Sequence, residues 1–245
     1  MRTKMAYATR NKILEKRGGF LSLTKEKKIY GNSKMKVLEL FSGTGSVKKI
    51  CDKLGWECIS VDITDELHPV DYKVNILEWD YKVLPKDFDL VWASPPCNSF
   101  SKMLFMHKHI DQDKKIREEG LPLLDKTLEI IDYFNPNYFC IENPKTGYMK
   151  DFMSDLIPFV DVCYCRYGYD YKKPTRIWTN IDYDGKWCNH KGKHKYRIGS
   201  TRTGKNKPNS EYMKLATTNL TTPGGIAQKY SIPPKLVEEL FGAIF

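Results

Sequence analysis

Val37-Leu38-Glu39-Leu40-Phe41-Ser42-Gly43-Thr44-Gly45-Ser46 is followed by Val47–Leu54, by Gly55, and then by Cys58-Ile59-Ser60-Val61-Asp62-Ile63. Val37–Phe41 is a short, mostly apolar run of the kind that forms a buried strand. Gly43 and Gly45 permit a tight turn. Val47–Leu54 reads as a helix that Gly55 stops, and Cys58–Ile63 reads as a second strand. Strand, glycine turn, helix and strand make a βαβ unit, whose crossover requires a parallel sheet.

The same alternation continues outward. Phe88–Ala93 is another apolar run, closed by Pro95-Pro96, which cannot continue a sheet ladder. Leu121–Phe134 has the spacing of an amphipathic helix, and Tyr138–Ile141 that of a strand ending at Glu142-Asn143-Pro144. Val237–Phe245 follows Pro233-Pro234 and reads as a closing helix, with Pro234 in its first turn. The expected fold is α/β, a doubly wound, mostly parallel sheet with a small irregular insertion. The expected divisions are a basic arm over 1–35, a main domain over 36–181 and 226–245, and a Lys-rich insertion over 182–225.

Charge supports that division. Of the 245 residues, 40 are Lys or Arg and 30 Asp or Glu, a net charge of +10. Residues 1–36 carry eleven Lys/Arg against two Glu, and residues 186–214 carry nine against one. The rest of the chain is net acidic. Two basic segments around an acidic body fit a polyanion partner, with a solvated lysine surface as the alternative. The insertion's candidate phosphate contacts are Lys191, Lys193, Lys195, Arg197 and Arg202. The seven cysteines are odd in number and irregular in spacing, which argues against a disulfide framework and for a reducing compartment. No apolar run approaches the ~20 residues of a membrane span, and the basic start of the chain lacks the apolar stretch of a secretory signal. A cytoplasmic, monomeric protein is expected, with no membrane partner.

Two strand ends carry chemistry. The glycine turn lets a ligand approach the backbone, and Asp62 ends the next strand, where an acid grips ribose hydroxyls. The chain lacks GxGxxG and the Walker Gly-Lys-Ser/Thr end, so a nucleoside-bearing cofactor other than a dinucleotide or ATP is favoured. Ser94-Pro95-Pro96-Cys97 places Cys97 in a loop at a strand's carboxyl end. It is either a nucleophile or a small buried hydrophobe beside a turn. Glu142, at another strand end, can share that rim; a thiolate and a carboxyl facing one substrate suit attack on a polarised heterocycle.

Leu38–Gly45, Ser94-Pro95-Pro96-Cys97 with Phe100-Ser101, and Glu142-Asn143-Pro144, in this order, resemble the cytosine-C5 DNA methyltransferase family, in particular its compact phage and large-virus branch. Lys173–Trp178 resembles the family's Arg-containing strand, and Tyr230–Leu236 its C-terminal motif, which closes the cofactor pocket. The resemblance covers about residues 36–180 and 226–245. It implies a Rossmann-like, S-adenosylmethionine-dependent enzyme acting on double-stranded DNA in a bacterial or virus-infected cell, the nucleus included. It implies Cys97 adding to cytosine C6, Glu142 holding N3 and the amino group, and Arg176 on the O2 side. The target base lies inside a stack, so it must be flipped out. The implied cofactor residues are Phe41, Ser42, Gly43, Thr44, Gly45, Ser46, Asp62, Ile63, Asn75, Ile76, Ser94 and Pro95. Departures are Pro144 where the family has Val, Pro174 where it has a second Arg, Asn75 where it has Asp, and Tyr230 where it has Asn. A tRNA cytosine methyltransferase and a weakly catalytic DNA-binding protein are the alternatives.

Cys163-Tyr164-Cys165, Cys188-Asn189-His190 and His194 form a second candidate set. Cys and His at short spacings suit tetrahedral zinc, and an insertion with little core benefits from a staple. The alternative is buried cysteines plus surface histidines among phosphate-binding lysines.

Overall fold

The structure is a computed structural model that describes residues 34–102, 111–189 and 230–245. Strands β1 (Lys36–Leu40), β2 (Glu57–Asp62), β3 (Tyr72–Lys73), β4 (Leu90–Ala93), β5 (Tyr138–Pro144), β6 (Phe159–Cys163) and β7 (Pro174–Thr179) form one seven-stranded sheet. Its order is β3-β2-β1-β4-β5-β7-β6. Pairs from β3 across to β5 are parallel, while β7 runs antiparallel to both β5 and β6. The described α-helices are α1 (Ser46–Leu54), α2 (Gln112–Lys115), α3 (Leu121–Phe134) and α4 (Pro234–Gly242), with a π-helical turn, Ile116–Gly120, joining α2 to α3.

The central strands read as continuous apolar runs because both faces are covered. Side chains alternate between two layers. Leu38, Leu40, Val91, Ala93, Phe139 and Ile141 pack with Leu124, Leu128, Ile131 and Phe134 of α3. Val37, Leu90, Trp92, Tyr138 and Cys140 pack on the other face with Val47 and Ile50 of α1 and Leu236, Leu240 and Phe241 of α4. The chain winds outward from β1 to β3, returns, and restarts at β4. The carboxyl ends of β1 and β4 therefore flank the switch point, where open α/β sheets hold their ligands.

Several element ends differ from the expected ones. The first strand stops at Leu40 because Phe41 has φ +58°, a left-handed conformation that no strand residue adopts. The fourth expected strand, Tyr138–Ile141, runs on through Pro144. β4 ends opposite Ile141, but β7 continues to pair with Glu142, Asn143 and Pro144. Pro144 is tolerated because that stretch has a partner on one side only. Met35, assigned to the basic arm, is buried in the α1/α4 layer, and its carbonyl accepts from the Glu57 N–H. Residues 1–33 of the arm and 190–225 of the insertion lie outside the described residues.

Candidate active site

The first wall is the turn after β1. Phe41, Gly43 and Gly45 all have positive φ, so the backbone folds back tightly before α1 begins. The N-cap residue is Gly45, which offers no side chain. Glu39 serves instead. Its carboxylate, 3% exposed, accepts from the Val47 and Lys48 N–H groups at 3.1 Å each and from the Ser42 hydroxyl at 3.0 Å. A negative charge at a helix N-terminus is favourable. Burial nevertheless pushes the Glu39 carboxyl up to about 7, against the pull of those hydrogen bonds.

The second wall comes from β2. Asp62 is tied to the turn: its carboxylate accepts from the Gly43 N–H at 2.9 Å and from the Thr64 N–H at 3.0 Å. Ile63 follows, 68% exposed, an apolar side chain at the mouth. Asn75 caps its own turn, its Oδ1 accepting from the Leu77 N–H and its Nδ2 donating to Glu78. The Tyr230–Ile232 segment returns across α1, where the Ile232 N–H donates to the Ser46 Oγ at 3.0 Å.

The third wall is the Pro-Pro-Cys loop at the end of β4. Cys97 starts a 3-10 turn over Asn98–Phe100 and is half-buried. The loop is held from several sides. Asn143 Nδ2 donates to the Pro95 carbonyl at 2.9 Å, Gln112 Nε2 to the Ser99 carbonyl at 2.7 Å, and the Tyr148 N–H to the Phe100 carbonyl at 2.8 Å. Gly120 is required where it stands, since a Cβ there would lie 2.8 Å from the Phe100 ring. Glu142, on the neighbouring strand, is 6% exposed and accepts from the Tyr164 hydroxyl at 2.7 Å. Burial and then Glu142 itself hold the Tyr164 phenol well above its ordinary value, so it stays a donor.

These walls enclose a cavity of about 310 Å³. Of the expected cofactor residues, Phe41, Ser42, Gly43, Ser46, Asp62, Ile63, Asn75, Ile76, Ser94 and Pro95 line it, and Cys97 and Glu142 line it too. Thr44 and Gly45 do not. Thr44 bonds Ser46 behind the turn, and Gly45 faces His68, whose Nδ1 would lie 2.5 Å from a Cβ there. Arg176 also lies off the lining. Its guanidinium is held by both oxygens of Asp161 at 2.8 and 3.0 Å and stacks 3.5 Å from the Phe159 ring. In the β5–β7 ladder it sits opposite Asn143, whereas Glu142 sits opposite Ile177, so the pleat turns the two side chains to different faces. Among the described residues, the cation that lines the cavity is Lys173, whose Nζ is 4.6 Å from the centre of the Tyr164 ring.

The thiols of Cys163, Cys165 and Cys188 come together beside β6. His190, His194, Lys191, Lys193, Lys195, Arg197 and Arg202 lie outside the described residues. Sequence reading did not single out Tyr164, Lys173 or Glu39 as site residues. Glu39, an acid within an apolar run, carried a signal in its own context, while Tyr164 carried none.

The residues present fit S-adenosylmethionine. A left-handed glycine turn, a carboxylate tied to it, an exposed isoleucine and a cavity of ligand size stand together at the switch point. No described helix is long and apolar enough to cross a membrane. The family model for the C-5 cytosine-specific DNA methylase matches residues 35–152. The probable DNA (cytosine-5)-methyltransferase of Frog virus 3 (isolate Goorha) is 44% identical over 160 residues, spanning 60% of this chain and 72% of that protein. Among solved structures, the Entamoeba histolytica methyltransferase EhMeth is 15% identical with TM-score 0.43, over 60% of this chain and 52% of that one. Spodoptera frugiperda DNMT2 is 19% identical with TM-score 0.40, over 71% of this chain and 57% of that one. The chain thus spans little more than half the length of these two solved structures. With 44% identity to a relative covered to 72% of its length, and the family model matching residues 35–152, the chain belongs to the C-5 cytosine-specific DNA methylase family of S-adenosylmethionine-dependent methyltransferases.

Proposed function

We propose that this chain methylates C5 of cytosine in double-stranded DNA through a covalent Cys97 adduct on a flipped-out base. One observation carries the reading: Cys97 and Glu142 line the same cavity as the glycine turn and Asp62. Nucleophile, acid and cofactor wall thus meet at one sheet edge.

Cytosine C5 is a poor nucleophile. Addition of the Cys97 sulfur to C6 pushes the ring electrons toward C5, while Glu142 donates a proton or hydrogen bond at N3 and accepts one from the amino group. S-adenosylmethionine, when bound, supplies an electrophilic sulfonium methyl. Once C5 has taken that methyl and the neutral thioether has left, a base removes the C5 proton, and the electron pair returns to the ring and expels the Cys97 sulfur as its thiolate. Tyr164 holds the Glu142 carboxyl in place, and Asn143 holds the loop that carries Cys97. Asp62 and the glycine turn orient the ribose, and Ile63, Asn75 and Ile76 line the nucleoside end. Ser94 and Pro95 form the floor between the two halves. Arg176, bound to Asp161 in the free chain, reaches the base O2 only by giving up that carboxylate. The basic insertion contributes phosphate contacts. A reducing cell interior, such as an infected host's cytoplasm or nucleus, keeps Cys97 a thiol.

The test is trapping on duplex DNA containing 5-fluorocytosine, where C5 cannot lose a proton. The expected result is a stable protein–DNA adduct mapping to Cys97 that requires S-adenosylmethionine. An adduct on folded tRNA but none on duplex DNA would shift the substrate to RNA. Tight DNA binding with no adduct on either substrate would make the chain a binding protein on a methyltransferase fold.

A further inference from the structure

Cys163, Cys165 and Cys188 reach one point from three places. Cys163 ends β6, Cys165 lies in the 3-10 turn Tyr164–Arg166, and Cys188 lies on the segment that follows β7. Their three sulfurs lie within 4.8 Å of one another, with those of Cys163 and Cys165 3.3 Å apart. No disulfide joins any of the three, and Cys163 is fully buried. Sulfurs bound to one zinc ion at ~2.3 Å stand ~3.8 Å apart in a tetrahedral site. The 3.3 Å pair stands just inside that value, and all three sulfurs are close enough together to share one ion.

The segment carrying Cys188 is docked in register. The Cys163 N–H donates to the Lys186 carbonyl at 3.1 Å, and the Lys186 N–H donates to the Tyr167 hydroxyl at 2.7 Å. Arg166 donates to Asn189 at 2.7 Å, and Lys186 pairs with Glu239 of α4 at 2.6 Å. Gly185 presses so close to β6 that a Cβ would stand 2.4 Å from Val160. Only glycine permits that approach, and it fixes where Cys188 falls.

We propose that Cys163, Cys165 and Cys188 bind a zinc ion that pins the root of the Lys-rich insertion to β6. Each thiol gives up its proton to solvent as its thiolate takes the metal. A tetrahedral ion takes a fourth ligand, and the proposal rests on the three sulfurs alone. The site also bears on the cavity, because Tyr164, whose hydroxyl holds Glu142, lies between two of the ligands in the chain. Zinc binding does not depend on the proposed methyl transfer, so the two readings fail separately.

The experiment uses the full chain purified under reducing conditions. Zinc is counted by mass spectrometry after exhaustive dialysis, and the ion is exchanged for cobalt(II). The expected result is about one zinc per chain and an intense thiolate-to-cobalt charge-transfer band. Cys188→Ser is expected to weaken zinc binding by at least ~100-fold, exceeding the loss seen for outer-shell partners, while Cys97→Ser keeps the full metal content. A chain that carries no zinc and gives cobalt no sulfur band would overturn the proposal. So would a Cys163–Cys165 disulfide recovered from the reduced preparation. If Cys188→Ser does not fold, the cobalt spectrum of the unaltered chain decides alone.

Discussion

The Tyr164 hydroxyl donates to Oε1 of Glu142 at 2.7 Å, and both side chains are buried. Tyr164 in turn packs edge-on against Tyr169, whose hydroxyl bonds Ser231 on the returning C-terminal segment. Replacing Tyr164 by Phe keeps the ring and removes the bond. A hydrogen bond to a charged group contributes about 1.5–3 kcal/mol, so turnover should fall about 10–100-fold. Cofactor affinity should hold, because Tyr164 does not line the cavity. Steady-state kinetics with calorimetry check both. A rise in KM alone, or equal loss of cofactor binding, would place Tyr164 in general packing instead.

Cys97→Ser should abolish methyl transfer by at least ~10³-fold, since an alcohol is a far weaker nucleophile than a thiolate and lost nucleophiles cost that much or more. The glycine turn and Asp62 lie on other walls, so S-adenosylmethionine should still bind. Single-turnover assays and 5-fluorocytosine trapping measure the loss, and near-normal turnover of the Ser variant sinks the assignment.

Asp62 has two tasks that substitution separates. It receives the Gly43 N–H at 2.9 Å and, in the proposed function, the ribose hydroxyls. Asp62→Asn keeps an acceptor for Gly43 and loses the charge, while Asp62→Ala loses both. Cofactor affinity should drop in the order native, Asn, Ala, by about 1–3 kcal/mol at the end of the series. Unchanged calorimetric affinity in the Ala variant would move the ribose elsewhere.

Glu39 makes stability depend on pH. Burial raises its folded-state value from 4.5 to about 7. A raised acid contributes stability that is complete below the unfolded value and is lost as pH rises through the folded one. The chain should therefore lose about 3 kcal/mol between roughly pH 4.5 and 8 from this group. Glu39→Gln, which still accepts from the α1 amides, should flatten that slope. Urea midpoints measured across the range decide it, and parallel curves for the two proteins would refute the assignment.

The basic insertion should supply affinity more than sequence choice, because phosphate contacts position a protein without reading bases. Replacing Lys191, Lys193 and Lys195 by Ala should lower the salt slope of DNA binding by about 0.9 per lost contact. Wild-type slope with altered methylation sites would instead make the insertion a base reader.

The strand-turn-helix-strand opening was legible because its pattern is local. Apolar runs, glycines and prolines constrain φ, ψ and ladder hydrogen bonds residue by residue, so the parallel sheet, Gly55 as helix stop and the Cys97 loop followed from the chain alone. The order of motifs also pointed to most of the residues that line the cavity. What sequence could not supply was the pairing of β5 with β7. That antiparallel contact joins segments some 35 residues apart, and it alone extends the strand through Pro144. The same ladder turns Arg176 toward Asp161 and away from the cavity, and brings up Tyr164 as the partner of Glu142. Likewise the three thiols converge only once the segment after β7 docks on β6. Such contacts depend on which side chains two distant segments bury together, and no periodicity within either segment encodes that choice.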